Sequence, residues 1–501
     1  MKTALKEKFI TEKSFYRNLL AIAGPMAFQY AISFGVTLMD SVMLGSLGDV
    51  AISGANLGNQ MQTLVMSCSY GLASGGGVLI AQYWGKKDMA HIRKVVRLAV
   101  QAVFCAVSVL TLLSLAFPHQ ILRIFTPDAQ VIEAGASYLS VVAFSYLPYA
   151  LASCYLSSLR GTEQVKMTVG VYGCSFFVNV IFNYIFIFGK LGAPALGVRG
   201  AAVGTVCARC SELILALIYM YTKEKLVGFR VKDCFTWDKE LLGEYFRHSL
   251  PVVGNELLWG FGSTVTSIIM GQISRTFVAA SSITMVLHQL SFVTLNGVGN
   301  AAAVLTGRTV GEGSYARVQR VANTLVALSF GLGALNCLFI LCVRPLFLAM
   351  YHVSPAVHEA AYGMIGVLAL LQLTMGVELT CVVGVLRGGG DTRMGFLLDC
   401  GTLWLTSIPL GFSRALFCTG PCRRICLPKN RQPGEGAFVA HSHQGRALGA
   451  QCDRAGGDCN GLRGRKQRPD GRENRAITTK KALGNGQPAQ TFSTPAFRLD
   501  F

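Results

Sequence analysis

Acidic residues inside long apolar stretches are the first candidates for chemistry in this sequence, because a charged side chain there needs a reason. A buried carboxylate can bind a proton or a small cation and release it again. Two asparagines, Asn179 and Asn183, are four residues apart and share a helix face, so their carboxamides could serve the same site. The acids within apolar stretches are Asp40, Glu256, Glu378 and Asp399.

We predict that these six residues form cation- or proton-coupling sites. Asp40 would act with Asn179 and Asn183, and Glu256 would act with Glu378 and Asp399. Structural alternatives remain for most of them: Asp40 could contact water at the membrane interface, and the others could make hydrogen bonds between helices. Glu256 is the hardest to explain as scaffold, because it lies several turns inside its apolar stretch.

Aromatic and methionine side chains offer a surface for amphipathic organic molecules, since such residues adapt to many ligands. We predict a substrate cleft lined by residues of the first, second, fourth and seventh apolar stretches. No catalytic residue, cofactor or metal is expected, apart from Na⁺ at the coupling residues. The predicted cleft residues are Tyr30, Phe34, Met61, Tyr146, Trp259 and Phe261.

Composition places these residues in a membrane protein. Hydrophobic residues make up 52% of the 501 residues and charged residues only 14%. At about 1.5 Å of rise per residue, each apolar stretch is long enough to cross a hydrocarbon core of roughly 30 Å. We predict eleven spans, which begin near Asn18, Ala51, Val95, Val131, Met167, Gly197, Tyr245, Phe277, Val318, Val357 and Met394.

The loops predict the orientation of these spans. Lysines and arginines collect in alternate loops, for example at Lys86, Lys87, Lys223 and Lys225, and few occur in the others. By the positive-inside rule the N-terminus is cytoplasmic. We expect no cleaved signal peptide, because the segment before the first span is charged.

The chain contains an internal duplication. Residues of the first half recur in the second at one constant offset, and the offset then slips by one residue, so that Leu159-Arg160-Gly161 recurs as Leu386-Arg387-Gly388. Two such apolar copies predict two helical lobes facing a cleft, as in alternating-access transporters. Because Arg160 and Arg387 are repeated, we interpret them as scaffold at the lipid headgroups. Earlier repeated pairs are Pro25 and Pro251, Gly45 and Gly271, Gly71 and Gly297, and Gly85 and Gly311.

These features divide the chain into three parts. We predict an N-terminal lobe over residues 1–225 with helices one to six, and a C-terminal lobe over residues 226–412 with helices seven to eleven. Residues 413–501 are basic and rich in Gly, Arg and Pro, with no apolar span. We expect this tail to be a frameshift product or disordered.

Three motifs resemble those of a known family. Val385-Leu386-Arg387-Gly388-Gly389-Gly390-Asp391-Thr392 follows the tenth span, Asn179 to Tyr184 lies in the fifth, and Asp40 to Gly45 ends the first. Over residues 15–412 the chain resembles the multidrug and toxic compound extrusion (MATE) family, in particular its bacterial NorM- and DinF-like members. The resemblance implies an all-α polytopic membrane protein with two homologous six-helix lobes, here without a recognisable last helix in the second.

The resemblance also implies a function. MATE proteins are antiporters that export organic, often cationic, drugs in exchange for Na⁺ or H⁺, and they keep an acidic residue in helix one, the position of Asp40. We therefore expect a monomeric transporter of the bacterial cytoplasmic membrane that contacts lipid and small organic substrates, and neither nucleic acid nor enzymatic chemistry. The alternative is a lipid-linked oligosaccharide flippase of related fold, which would favour several embedded basic residues.

Overall fold

The computed structural model of the protein describes residues 8–409, apart from 226, 232, 234–238, 274 and 352. These residues form long helices that begin close to the predicted spans. The predicted tail 413–501 and any last helix of the second lobe lie outside the described part. The main helices are α1 Lys13–Gly45, α2 Asp49–Gly85, α3 Met89–Ala116, α4 Ala129–Gly161, α5 Lys166–Phe188, α6 Val198–Thr222, α7 Lys239–Ile273, α8 Arg275–Gly311, α9 Tyr315–Ala349, α10 Pro355–Arg387 and α11 Thr392–Thr402. A short helix, Pro118–Arg123, lies between α3 and α4.

The described helices confirm an all-α membrane protein. Nine of them are long and apolar enough to cross a membrane; of the main helices, α7 and α11 are outside that set. Two helices change their winding: α4 contains a 3₁₀ turn at Ala143–Ser145, and α10 ends in a π-helical segment, Thr380–Arg387. A further π-helical segment, Leu403–Ser407, continues α11.

Aspartate side chains cap the N-termini of several of these helices. The carboxylate of Asp88 accepts a hydrogen bond from the backbone N–H of His91, and Asp128 and Asp391 cap α4 and α11 in the same way. The N–H of His91 also lowers the pKa of the Asp88 carboxyl below its usual value. Such caps satisfy the free N–H groups of a first turn. Asp391 and the preceding Gly390, whose φ is +100°, explain why the motif before α11 contains Gly-Asp.

The first helix of each copy packs against the second helix of the other copy. Helix α1 packs on α5 of its own half and on α8 of the other half, while α7 packs on α11 and on α2. We call α1–α6 the N half and α7–α11 the C half. The Tyr245 hydroxyl of α7 donates to the backbone oxygen of Leu72 on α2 at 2.9 Å. The duplication seen in the sequence therefore recurs in the packing.

Glycines allow the halves to approach at one end of the bundle, which we call the basic end because its loops carry Lys86, Lys87, Lys223 and Lys225. A Cβ atom on Gly85 would lie 2.1 Å from the carbonyl oxygen of Arg308, and one on Gly311 would lie 1.9 Å from that of Gln82. Small residues permit such backbone contact between membrane helices. The repeated Gly85 and Gly311 thus mark the crossing of α2 and α8.

A second pair of repeated glycines, Gly71 and Gly297, lies at helix crossings deeper in the bundle. A Cβ atom on Gly71 of α2 would lie 2.6 Å from the Cα of Val253 on α7, and one on Gly297 of α8 would lie 2.7 Å from the Cβ of Ala27 on α1. These are equivalent contacts in the two copies. The repeated glycines therefore join the two halves.

Polar contacts reinforce the closure at the basic end. Arg308 of α8 pairs with Glu163, in the loop after α4, at 2.8 Å. The backbone N–H of Ile10, ahead of α1, donates to the hydroxyl of Thr324 on α9 at 2.9 Å, and Ile10 is buried there. The segment before α1 is therefore fastened to the C half.

We predict that Gly311→Ala destabilises the protein by about 1–3 kcal/mol, because the added methyl group overpacks the contact between α8 and α2. Gly331→Ala on α9 is the matched control, since a Cβ atom there meets nothing within 4 Å. The measurement is thermal unfolding of the purified proteins in detergent. Equal melting temperatures for the two variants would contradict the close crossing.

Candidate functional site

Three predicted residues of the N half meet in one polar cluster. The side-chain amide of Asn183 on α5 donates to the carboxylate of Asp40 on α1 at 2.6 Å and to the carboxamide oxygen of Asn179 at 3.2 Å. The shared helix face predicted for the two asparagines is thereby confirmed. Asn179 and Asn183 are buried, and Asp40 is half-buried.

The packing of α5 on α6 holds this cluster in place. Gly200 and Gly204 of α6 are four residues apart, the spacing that lets helix backbones touch. A Cβ atom on Gly204 would lie 2.0 Å from the carboxamide oxygen of Asn183, and one on Gly200 would lie 2.3 Å from the carbonyl oxygen of Phe186. The site therefore requires glycine at position 204.

Asp40 forms no ion pair with another described residue. Its carboxylate accepts a hydrogen bond from the neutral carboxamide of Asn183, and Arg209 acts on it only at longer range. The carboxamide oxygen of Asn183 is buried without a hydrogen-bond partner among the described residues. A carboxylate beside carboxamide oxygens suits a proton or a hard cation such as Na⁺.

The N half also contains a buried pair of oppositely charged residues, which has no net charge. As predicted, Arg209 and Glu212 on α6 pair with each other, at 2.6 Å. The same Glu212 oxygen accepts from the hydroxyl of Ser175 at 2.8 Å, and the guanidinium lies 4.9 Å from the ring centre of Tyr149. This buried pair joins α6 to α5 and α4.

In the C half, Glu256 has an unexpected partner. Both terminal nitrogens of Arg387 donate to one oxygen of Glu256, each at 3.3 Å. Arg387 is 5% exposed, so the prediction that it contacts lipid headgroups is wrong. The physical reason is that Arg387, the last residue of the π-helical segment of α10, meets an acid on the neighbouring helix α7, and a buried guanidinium needs such a partner.

The other acids of the C half do not share hydrogen bonds with Glu256. Asp399 on α11 accepts from the side-chain amide of Asn255 at 2.8 Å, and the thiol of Cys400 donates to the carboxamide oxygen of Asn255 at 3.3 Å. Glu378 is half-buried on α10. Glu256 and Asp399 thus have different hydrogen-bond partners, but the two carboxylates lie close enough to interact electrostatically, and their common site with Glu378 stays a prediction.

The predicted cleft residues separate by burial. Tyr146 is 1% exposed and packs in the core of the N half, so it does not line a cleft in this conformation. Trp259 and Phe261 are more than half exposed on α7. The two others that the structure leaves half-buried are Phe34 and Met61.

Tyr30 belongs to a contact between the halves that the sequence did not suggest. Asn300 on α8 donates through its side-chain amide to the Tyr30 hydroxyl at 3.1 Å, and the Tyr70 hydroxyl of α2 donates to the Asn300 carboxamide oxygen at 3.3 Å. The signal at position 300 was an asparagine in an apolar span, four residues after Asn296. It did not reveal which helices it joins.

Comparison with known proteins identifies the family. The MatE family model matches residues 25–185 and matches again over residues 251–413. The chain belongs to the MatE family. It is thus a membrane transporter and not an enzyme, and both halves of the duplication carry the family pattern.

Relatives of this MatE protein include multidrug resistance proteins. The probable multidrug resistance protein NorM of Agrobacterium fabrum is 25% identical over 410 residues, which cover 80% of this chain and 87% of the relative. The multidrug resistance protein MdtK of Pectobacterium atrosepticum is 26% identical over 417 residues, covering 82% and 89%. The family is one of multidrug efflux transporters.

Solved structures confirm the MATE-type architecture. An outward-facing conformation of a multidrug resistance MATE family transporter of the MOP superfamily matches with a TM-score of 0.73 and 16% identity, over 80% of this chain and 88% of that one. The Vibrio cholerae MATE transporter VcmN, as a mutant, matches with a TM-score of 0.73 and 15% identity, over 79% and 89%. At this identity the likeness concerns the fold.

We predict that Glu212→Gln destabilises the transporter by about 3–5 kcal/mol, because it leaves the buried Arg209 guanidinium without its counter-charge. Combining it with Arg209→Met removes that charge and should restore most of the stability. Membrane yield and melting temperature in detergent measure both effects. A double variant no more stable than Glu212→Gln would show that the pair is not the source of the loss.

Proposed function

We propose that this MatE protein is a cation-coupled antiporter that exports organic, often cationic, compounds across the bacterial cytoplasmic membrane. The observation that carries the proposal is Asp40, a membrane-embedded carboxylate held by Asn183 and free of any described ion pair. Such a group binds a proton or Na⁺ in exchange for substrate. Its relatives' names as multidrug resistance proteins support the substrate class.

The basic end supports the direction of transport. Under the positive-inside rule this end faces the cytoplasm. The contacts between the halves described above lie from the middle of the bundle to this end, at the crossing of Gly85 with Arg308 and at the pair of Arg308 with Glu163. In the proposed cycle this conformation is therefore closed toward the cytoplasm and releases substrate outward.

Exchange then follows from linkage between ion binding and conformation. A ligand shifts a conformational equilibrium only by its different affinity for the two states. A cation bound at Asp40 neutralises the Asp40 carboxylate and changes the hydrogen bond between that carboxylate and Asn183. The coupling ion and the substrate thus favour opposite conformations, and each drives the movement of the other.

The flippase alternative finds less support in the embedded basic residues. Holding a pyrophosphate calls for free guanidinium or ammonium groups. Arg209 and Arg387 are both buried against carboxylates, Glu212 and Glu256. Neither offers a free positive charge in this conformation, so we retain export of organic cations.

We predict that Asp40→Asn abolishes coupled efflux and leaves membrane insertion intact, because it removes the charge and preserves the shape. Efflux of a fluorescent organic cation is measured in everted vesicles, with Na⁺ and pH gradients imposed separately. The gradient that drives the unmodified protein identifies the coupling ion.

Asp128→Asn is the matched control, because asparagine also caps a helix and Asp128 lies outside the spans. It should export at the unmodified rate. Unmodified export by Asp40→Asn vesicles would return Asp40 to a structural role.

A further inference from the structure

The pairing of Glu256 with Arg387 leaves a carboxylate that is both neutralised and accessible. Arg387 is 6% exposed in its side chain, whereas Glu256 is 25% exposed. Both nitrogens of the guanidinium approach the same carboxylate oxygen. The second oxygen receives no hydrogen bond from a described residue. An incoming cation therefore meets a carboxylate whose charge is already balanced by an internal cation.

The N half lacks this arrangement at the equivalent positions. By the offset of the duplication, Tyr30 stands where Glu256 stands in the C half, and Arg160 stands where Arg387 stands. The side chain of Arg160 makes no hydrogen bond or ion pair with another described residue, and the Tyr30 hydroxyl accepts from Asn300. The acid that meets Arg387 thus belongs to the C half alone.

The extra residue in the C-half copy accompanies this difference. The repeat slips by one position between Glu359 and Leu386, and the π-helical segment Thr380–Arg387 lies in that interval. A π-bulge accommodates an added residue and is frequent at functional sites. The segment ends at Arg387, so the helix turn that carries the guanidinium is π-helical. The equivalent turn of the N half, which carries Arg160, is α-helical.

The residues that follow Arg387 belong to the closed crossing between the halves. The backbone oxygen of Gly389 accepts from the side-chain amide of Gln82 on α2 at 3.4 Å. Within the C half, a Cβ atom on Gly388 would lie 2.7 Å from the Cα of Ala303, so this segment also packs on α8, the helix that crosses α2. Opening the basic end separates α2 from this segment, so the same movement displaces the backbone beside Arg387.

We propose that Arg387 is an internal substitute for a cationic substrate at Glu256. With the basic end closed, the guanidinium occupies the carboxylate and weakens the binding of an organic cation. When the basic end opens, Arg387 withdraws and Glu256 becomes the counter-ion of the substrate. Closure then returns the guanidinium and releases the substrate outward. The proposal rests on the proposed export function and assigns the C half to substrate and the N half to the coupling ion.

Charge accounts for the competition. Two cations on one carboxylate in a poorly solvated site repel each other, so occupancy by the guanidinium and by a substrate cation excludes the other. Further polar groups come from the neighbouring helices: Tyr30, Tyr70 and Asn300 on α1, α2 and α8, and Asp399 on α11, which is bonded to Asn255. None of these is a cation; Arg160 on α4 is a further positive group that acts electrostatically on Tyr30 and Tyr70, and it is unchanged in every variant of the test.

The test is equilibrium binding of tetraphenylphosphonium, whose charge does not titrate, to purified protein carrying Asp40→Asn. In that background Arg387→Gln should bind the probe at least about tenfold more tightly, which corresponds to about 1.4 kcal/mol. Glu256→Gln added to Arg387→Gln should remove the gain. A loss of structure alone would lower the affinity, so an increase is specific to competition.

Arg387→Lys keeps the positive charge but replaces the guanidinium by an ammonium group, so it should give a smaller increase in affinity for tetraphenylphosphonium. If Arg387→Gln does not accumulate, the proposal is tested on Arg387→Lys instead. Equal or weaker binding by the folded Arg387 variants would overturn the proposal, as would a gain that persists after Glu256→Gln. Loss of efflux in Asp40→Asn without any gain in the Arg387 variants would reject this inference and leave the proposed function standing.

Discussion

A charge inside an apolar helix bundle must have a partner, and this requirement organises the polar interior of the protein. Arg209 and Glu212 satisfy it within one helix, while Arg387 and Glu256 satisfy it between α10 and α7. Asp40 and Asp399, by contrast, accept hydrogen bonds from the neutral carboxamides of Asn183 and Asn255 and form no ion pair with a described residue. The pair of Arg387 and Glu256 therefore constrains how α10 packs on α7, whereas the pair within α6 contacts its neighbours through Ser175 and Tyr149.

The duplication supplies two equivalent scaffolds, and function enters where they differ. Gly85 and Gly311 occupy equivalent places and make equivalent close crossings. By contrast, Asp40 stands at the position of Thr266, and Glu256 stands at that of Tyr30. Symmetric residues thus build the seam between the halves, and asymmetric ones place one acid in each half in a different electrostatic environment.

Sequence patterns predicted what local geometry determines. The helix period placed Asn179 and Asn183 on one face, and the spacing of Arg209 and Glu212 gave their pairing. Family motifs gave the architecture, which the comparisons confirm.

Contacts between distant helices were not predictable in this way. Arg387 was assigned to the headgroups because it repeats Arg160, and the π-helical segment that ends at Arg387 leaves no signature in the apolar periodicity. Asn255, Asn300 and Tyr70 were missed because their partners lie on other helices. Tyr146 was assigned to the cleft because the sequence does not distinguish an aromatic residue that faces a cleft from one that packs in the core, where Tyr146 lies.

Helix α1 connects the two sites mechanically. Near its middle, Ala27 packs against Gly297 of α8 and Tyr30 accepts from Asn300, so this part of the helix is fixed to the C half. Toward its other end, Asp40 is bonded to Asn183 of α5, within the N half. A rotation of one half against the other must strain α1 between these two attachments. In the cycle that we propose, binding of a cation at Asp40 weakens one attachment, and separation of the halves weakens the other. The proposed coupling ion and the closure of the basic end would thereby be linked through a single helix, without direct contact between Asp40 and Glu256.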